Sequence, residues 1–226
     1  MFYETGEDGL GHRAAGLKHS PMNAIVAPRP IGWISTLGKD GVPNLSPFSY
    51  FNAVSAHPPM VMFAANGSHA EGGSKDSLQN VRDTGEFVVN DTGEFVVNIC
   101  SEELAAQMND SSTAAPRAID EFNVAGLTKA PSRIVKAPRV AEAPAHLECR
   151  LIKIVELPSS LTGEQNNTVI GRVVAVHVRD EFIKDGRVDT VKMRPVGRLG
   201  YFDYAVISQS FEILRPSWPL KKAGQG

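Results

Sequence analysis

Gly32-Trp33-Ile34-Ser35-Thr36-Leu37-Gly38-Lys39-Asp40-Gly41-Val42-Pro43-Asn44-Leu45-Ser46-Pro47-Phe48-Ser49-Tyr50-Phe51 reads as a β-hairpin. Gly32 to Thr36 is rich in β-formers, and Gly38-Lys39-Asp40-Gly41 has the chemistry of a turn. The return arm, Val42 to Phe51, carries Pro43 and Pro47, which cannot donate to a ladder. Such an arm is short, bulged or placed near a sheet edge. Pro58-Pro59 then breaks the chain before Met60-Val61-Met62-Phe63-Ala64, an apolar run that suits a fully buried strand.

From Ser74 the pattern changes. Ser74-Lys75-Asp76-Ser77 offers cap residues, and Leu78 and Val81 share one face of a short helix ending near Thr84-Gly85. Next, Asp83-Thr84-Gly85-Glu86-Phe87-Val88-Val89-Asn90 is copied unchanged as Asp91 to Asn98. Two copies are too few for a solenoid, so the repeat reads as a local tandem duplication. The second copy runs directly into Ile99-Cys100, so Phe95 to Ile99 is expected to form the strand. Phe87 to Val89 is then expected to be more exposed or to add an edge. Ser101 to Asn109 reads as a helix capped by Ser101. His146 to Val155 and Thr168 to Val178 are further strands, joined by a polar loop containing Gly163. Many short strands and few short helices predict a mainly β, closed barrel rather than an alternating βαβ fold. No G-x-G-x-x-G follows a strand, so a Rossmann site has no support.

The composition excludes several classes of function. A formal net charge of -2 gives no basic footprint for nucleic acid or an anionic membrane surface. No run approaches the ~18 apolar residues of a membrane span. The start of the chain carries Glu4, Glu7 and Asp8 without an apolar core, which argues against a secretory signal. Two cysteines, Cys100 and Cys149, build neither a disulfide framework nor a zinc site. The expected place is the cytoplasm. The expected organisation is an arm over 1–22, one barrel domain over 23–212 and a tail over 213–226.

Arg29 to Thr36, Asn44 to Asn52, Ser55-Ala56-His57-Pro58-Pro59 and Lys75-Asp76-Ser77 together resemble the flavin reductase-like family of FMN-binding split barrels. The likeness extends through Gly171 to Val178 and Asp185 to Asp189 to Arg198-Leu199-Gly200, most of the chain. It implies a split β-barrel of Greek-key type with about six strands and a few flanking helices. It also implies bound FMN, or FAD used as a substrate, and electrons from NADH or NADPH. A homodimer and hand-over to a partner oxygenase or a small molecule are implied as well. An FMN-holding electron carrier is the alternative, and a dimeric scaffold without flavin a third.

The residues make chemical sense for such a ligand. A phosphate wants hydroxyl and amide donors plus a cation, and a helix N-terminus adds a favourable dipole. Ser74, Lys75, Asp76 and Ser77 supply that set, provided Asp76 turns back to cap the helix. An ordinary cap with a solvated lysine is the plain alternative. Ser49, Tyr50, Phe51 and Asn52 are candidates for the polar edge of the flavin ring, with Phe48 in the core. Ser35 and Thr36 are either ligands of the ribityl chain or phosphate, or turn caps. The family pattern adds Asn44 and Ser46 as flavin contacts. Arg198 is the candidate for contacting the flavin or the anionic nicotinamide from the other barrel half, against a solvated arginine beside a glycine turn. Trp33 reads as core or dimer interface. His57 and His177 carry no catalytic assignment, because hydride transfer to flavin needs no protein proton donor in that step.

Overall fold

The computed structural model describes residues 1–83 and 93–218. Seven antiparallel strands form the main sheet. They are β1 (Gly32–Leu37), β2 (Pro43–Phe48), β3 (Phe51–Ala56), β4 (Pro59–Asn66), β5 (Glu94–Asn98), β6 (Ala145–Leu157) and β7 (Asn166–Val178). Their spatial order is β2-β1-β5-β6-β7-β4-β3. The two ends of that order, β2 and β3, are consecutive in sequence and joined by just the bend at Ser49-Tyr50. A two-residue link cannot span a flat sheet of seven strands, each ~4.8 Å from the next. The sheet is therefore rolled, and its hydrophobic face points inward.

The first hairpin forms as its sequence predicts. Gly38 N–H donates to Val42 O at 2.9 Å, the Asp40 carboxylate accepts from Val42 N–H at 3.0 Å, and Gly41 takes φ +82°. Both prolines fall on β2, which pairs with β1 alone. The return arm does not run unbroken to Phe51. It stops at Phe48, and Phe51 begins β3, which pairs with β4 through a bulge between Ala53 and Ser55.

Inside the barrel, Ile34, Phe48, Phe51, Val61, Phe63, Phe95, Val97 and Val169 pack as one core, with Leu78 and Val81 of the helix Asp76–Asp83 plugging into it. Phe63 touches Phe48 and Phe95 at ring-centre separations of 4.9 and 5.3 Å. The second octamer fills the strand slot: β5 lies between β1 and β6, pairing Val97 with Ile34 and with Leu147. Ile99 falls just past its end. A side chain at Gly171 would sit 2.3 Å from the Phe95 ring, and one at Gly93 2.0 Å from Val81 O. Both glycines are needed where that strand meets its neighbours. The expectation for Phe87 to Val89 falls outside the described residues.

A second core covers the outer face of β1 and β2, where Trp33 and Leu45 meet Leu104, Met108, Phe122, Leu127 and Val140. Trp33 is fully buried, and its indole N–H donates to Ser111 Oγ at 2.9 Å. The segment Ser101 to Asp110 is a 3-10 turn, Glu102–Leu104, followed by the helix Ala105–Asp110. Arg29–Pro30, Val196–Arg198 and Tyr204–Val206 form a small separate sheet. Beyond Ile207, whose N–H donates to Pro195 O, the chain to Trp218 has no helix or strand.

Candidate functional site

A cavity of about 200 Å³ opens where β2, the segment after β4, the start of the helix Asp76–Asp83 and the Ser111 to Ala115 loop converge. Asn44, Ser46 and Phe48 reach it from β2, and Lys75, Asp76 and Ser77 from the helix start. Residues some thirty positions apart in sequence thus meet because β2 and the helix pack together.

Lys75 is half-buried, and its ammonium lies 6.0 Å from the Phe48 ring centre. Burial lowers its pKa, and the Glu164 charge opposes that. Among the described residues its ammonium makes no hydrogen bond or ion pair. Ser77 is buried, and its hydroxyl donates to Asn44 Oδ1 at 2.6 Å.

Asp76 does not cap its helix. Arg117 Nη1 takes one carboxylate oxygen, and His69 Nε2 lies 3.3 Å from the other. Arg117 also donates to Gly72 O at 2.6 Å and Ser74 O at 3.0 Å, which ties down the loop before the helix. Because Glu71 N–H donates to His69 Nδ1 at 3.0 Å, the ring proton is assigned to Nε2, which faces Ala115 O at 3.2 Å. Arg117 thereby offsets part of the charge that would repel an anion.

The other sequence candidates lie away from this cavity. Ser35 and Thr36 are fully buried; Ser35 Oγ donates to Pro138 O at 2.5 Å, and Thr36 Oγ1 accepts from Asn80 at 3.0 Å. Ser74 Oγ donates to Gln165 at 3.0 Å and accepts from Arg82 at 2.9 Å. Ser49 and Tyr50 make the bend, with Tyr50 Oη donating to Asn23 at 2.8 Å. Phe51 belongs to the barrel core, and the Asn52 amide oxygen accepts from Ala53 N–H at 2.8 Å. Arg198 stacks on Tyr204 with its guanidinium 4.4 Å from the ring centre and donates to Tyr201 O at 2.5 Å. Both cysteines are buried and free; burial pushes Cys100 up to about 12 and Cys149 higher still, so neither is a ready nucleophile.

Sequence reasoning missed His69, Arg117 and Glu121. Glu121, 6% exposed, opens the short helix Glu121–Val124 and lines the cavity. Its Oε2 accepts from Leu45 N–H at 3.1 Å, and Asn44 lines the same wall. Burial raises its pKa and Asp76 adds to the rise, while the surrounding donors oppose it. A lone Glu at a helix start carries no signal of this in the sequence.

This donor set fits a phosphate monoester: a cation in no ion pair among the described residues, hydroxyls beside it, and an apolar ring on one wall. Known proteins agree with the fold around it. A protein of Aquifex aeolicus (strain VF5) is 38% identical over 177 residues, 78% of this chain and 83% of its own length. Component B of nitrilotriacetate monooxygenase from Bacillus cereus superposes with a TM-score of 0.76 at 31% identity, over 85% of this chain and 90% of that one. The 2-nitrobenzoate 2-nitroreductase of Pseudomonas fluorescens superposes with a TM-score of 0.75 at 29% identity, over 93% and 98%. The model of the flavin reductase like domain matches residues 23–203, and the chain belongs to that family.

Proposed function

We propose that this protein holds FMN and acts as a flavin reductase, with NADH or NADPH as donor and a partner oxygenase or a small molecule as acceptor. Bound FMN supplies a two-electron carrier that takes hydride from nicotinamide and passes electrons on. The chain's own residues bind and orient it. Lys75 neutralises the phosphate, Ser46 and Ser77 offer hydroxyls, and the helix start adds its dipole. Phe48 supplies an apolar wall, and Arg117 keeps the Asp76 charge occupied. FAD in place of FMN uses the same phosphate contacts.

The observation that carries this reading is the half-buried Lys75 ammonium, in no ion pair among the described residues, facing a cavity of hydroxyls. Lys75→Ala should weaken FMN binding by about 1.5–3 kcal/mol, the range for a hydrogen bond to a charged group. Titration of apoprotein measures it, and unchanged affinity sinks the assignment. Stopped-flow mixing with NADH and NADPH then separates a reductase from a flavin carrier. The oxygenase-component and nitroreductase likenesses support the two kinds of acceptor.

The same proposal includes a homodimer in the cytoplasm. Supporting the dimer, Phe211, Ile213, Leu214 and Trp218 stand 78–87% exposed on the C-terminal segment, which leaves them for a second copy to cover. Sedimentation at working concentration is the check, and a strict monomer that binds FMN tightly refutes it.

A further inference from the structure

Glu121 is at odds with the anion site it lines. A carboxylate facing a phosphate is repelled, and Asp76 on the neighbouring helix adds a second negative charge. Arg117 is committed to Asp76, and Lys75 and His69 are the other ionisable groups on the cavity wall. On Glu121's own turn, Asp120 caps the helix through Phe122 N–H and pairs with Lys129.

Asn44 stands between Glu121 and the proposed phosphate ligand. The Ser77 hydroxyl donates to Asn44 Oδ1 at 2.6 Å, Leu45 N–H, one residue on, donates to Glu121, and the Asn44 amide and the Glu121 carboxyl share the cavity wall. An ionised carboxylate accepts and cannot donate, so Asn44 must present its NH₂ to Glu121 and its oxygen to Ser77. Ser77 then has its one proton turned toward Asn44. In that polarity it offers an incoming anion lone pairs alone.

We propose that phosphate binding places a proton on Glu121 and reverses the Ser77-Asn44-Glu121 chain. The proton comes from solvent and forms one O–H bond on the carboxyl, removing one negative charge from the cavity. Protonated Glu121 donates to the Asn44 oxygen, the Asn44 amide turns end for end, and its NH₂ donates to Ser77 Oγ. The Ser77 O–H is thereby released to donate to the phosphate. Leu45 N–H keeps its acceptor throughout, because the carboxyl retains a free oxygen. The burial of Glu121 favours the same neutral form. This inference rests on the flavin-phosphate reading above, and Glu121 acts in it as a positioning residue.

Calorimetric titration of the full-length apoprotein with FMN, in buffers of different ionisation enthalpy, counts the protons taken up. About one proton per FMN is expected at neutral pH, with affinity falling up to about tenfold per pH unit as pH rises. Phosphorus NMR of the bound FMN shows whether the phosphate itself took that proton, and riboflavin, which lacks the phosphate, should take up none. Glu121→Gln has the neutral acid's donor and acceptor. It should bind FMN about tenfold more tightly at neutral pH and lose the uptake. Zero uptake by the wild type, a proton found on the phosphate, or an unchanged profile in Glu121→Gln would overturn the proposal. Should that variant fail to fold, the wild-type count and the phosphorus spectrum still decide. If Lys75→Ala leaves FMN affinity unchanged, the flavin-phosphate reading falls first; if Lys75→Ala weakens it and no proton is taken up, this inference alone falls.

Discussion

Glu121 and Glu148 are both buried acids, yet their surroundings push them in opposite directions. Burial raises Glu121, and the donors around it do not reverse that. Burial alone would raise Glu148 too, but it accepts from Arg133, Ile134 and Val135 N–H at 2.7–3.0 Å and from His177 Nε2 at 2.5 Å, which hold it at about 2. Glu148 thus clamps residues 133–135 onto the sheet, where Val135 and Ala137 pack on Val96. Charge the fold uses for itself is surrounded by donors. At the cavity, Glu121 has fewer donors than Glu148, and Lys75 makes no ion pair among the described residues.

The largest test of that contrast is Glu148→Gln, which leaves donors at the clamp without the anion they were built for. It should lower stability by about 3–5 kcal/mol, read from denaturant unfolding. A loss below about 1 kcal/mol would show that the clamp is no stronger than a surface pair.

His146 comes next. Its Nε2 lies 2.7 Å from Val140 O, and burial, with the Arg139 and His177 charges, lowers its pKa from 6.5 to about 4. As pH falls from about 6.5 to about 4, the unfolded chain takes up this proton first, so stability falls on the order of 3 kcal/mol. Glu148 extends the loss from about 4.5 to about 2, since its folded pKa is the lower one. His146→Asn should flatten the first limb and leave the second. An unaltered first limb would assign the acid sensitivity elsewhere.

Ser74→Ala removes a hydroxyl that bridges Gln165 and Arg82 rather than facing the cavity. It should reduce stability by about 1 kcal/mol and leave FMN affinity unchanged. A loss of FMN binding would return Ser74 to the phosphate site. The smallest effect belongs to Glu121→Gln in the free protein. A raised carboxyl contributes its stability below the unfolded pKa and loses it as pH rises through the folded one. The amide should therefore match wild type in acid and be slightly more stable at neutral pH. A clear destabilisation there would put Glu121 in the same class as Glu148.

Much of the barrel was legible because its strands are runs of β-formers punctuated by turns whose chemistry is local. The hairpin, the second octamer as strand and the long β6-β7 pair all follow from that. The bend at Ser49-Tyr50 was not legible, because Phe51 to Ala56 has no inside-outside alternation and is mostly exposed. Ser35 and Thr36 misled because β1 is buried on both faces, so nearness to a turn says nothing about access. Lys75 and Ser77 were readable as a local cluster at a helix start. Glu121 was not, since its role comes from a contact 76 residues away, at Leu45, and Arg117 meets Asp76 across 41.

The repeated octamer gives one strand of this barrel a spare. The repeat is eight residues, an even number, so moving the chain by one repeat would offer Phe87 and Val89 to the interior on the same face as Phe95 and Val97. Phe95→Ala should then unfold at a higher denaturant concentration than expected for a barrel with one copy. A gene carrying this duplication can tolerate drift in either copy while the other keeps the seam between β1 and β6 closed. In this chain, a strand buried in the middle of the sheet has become one with room to change.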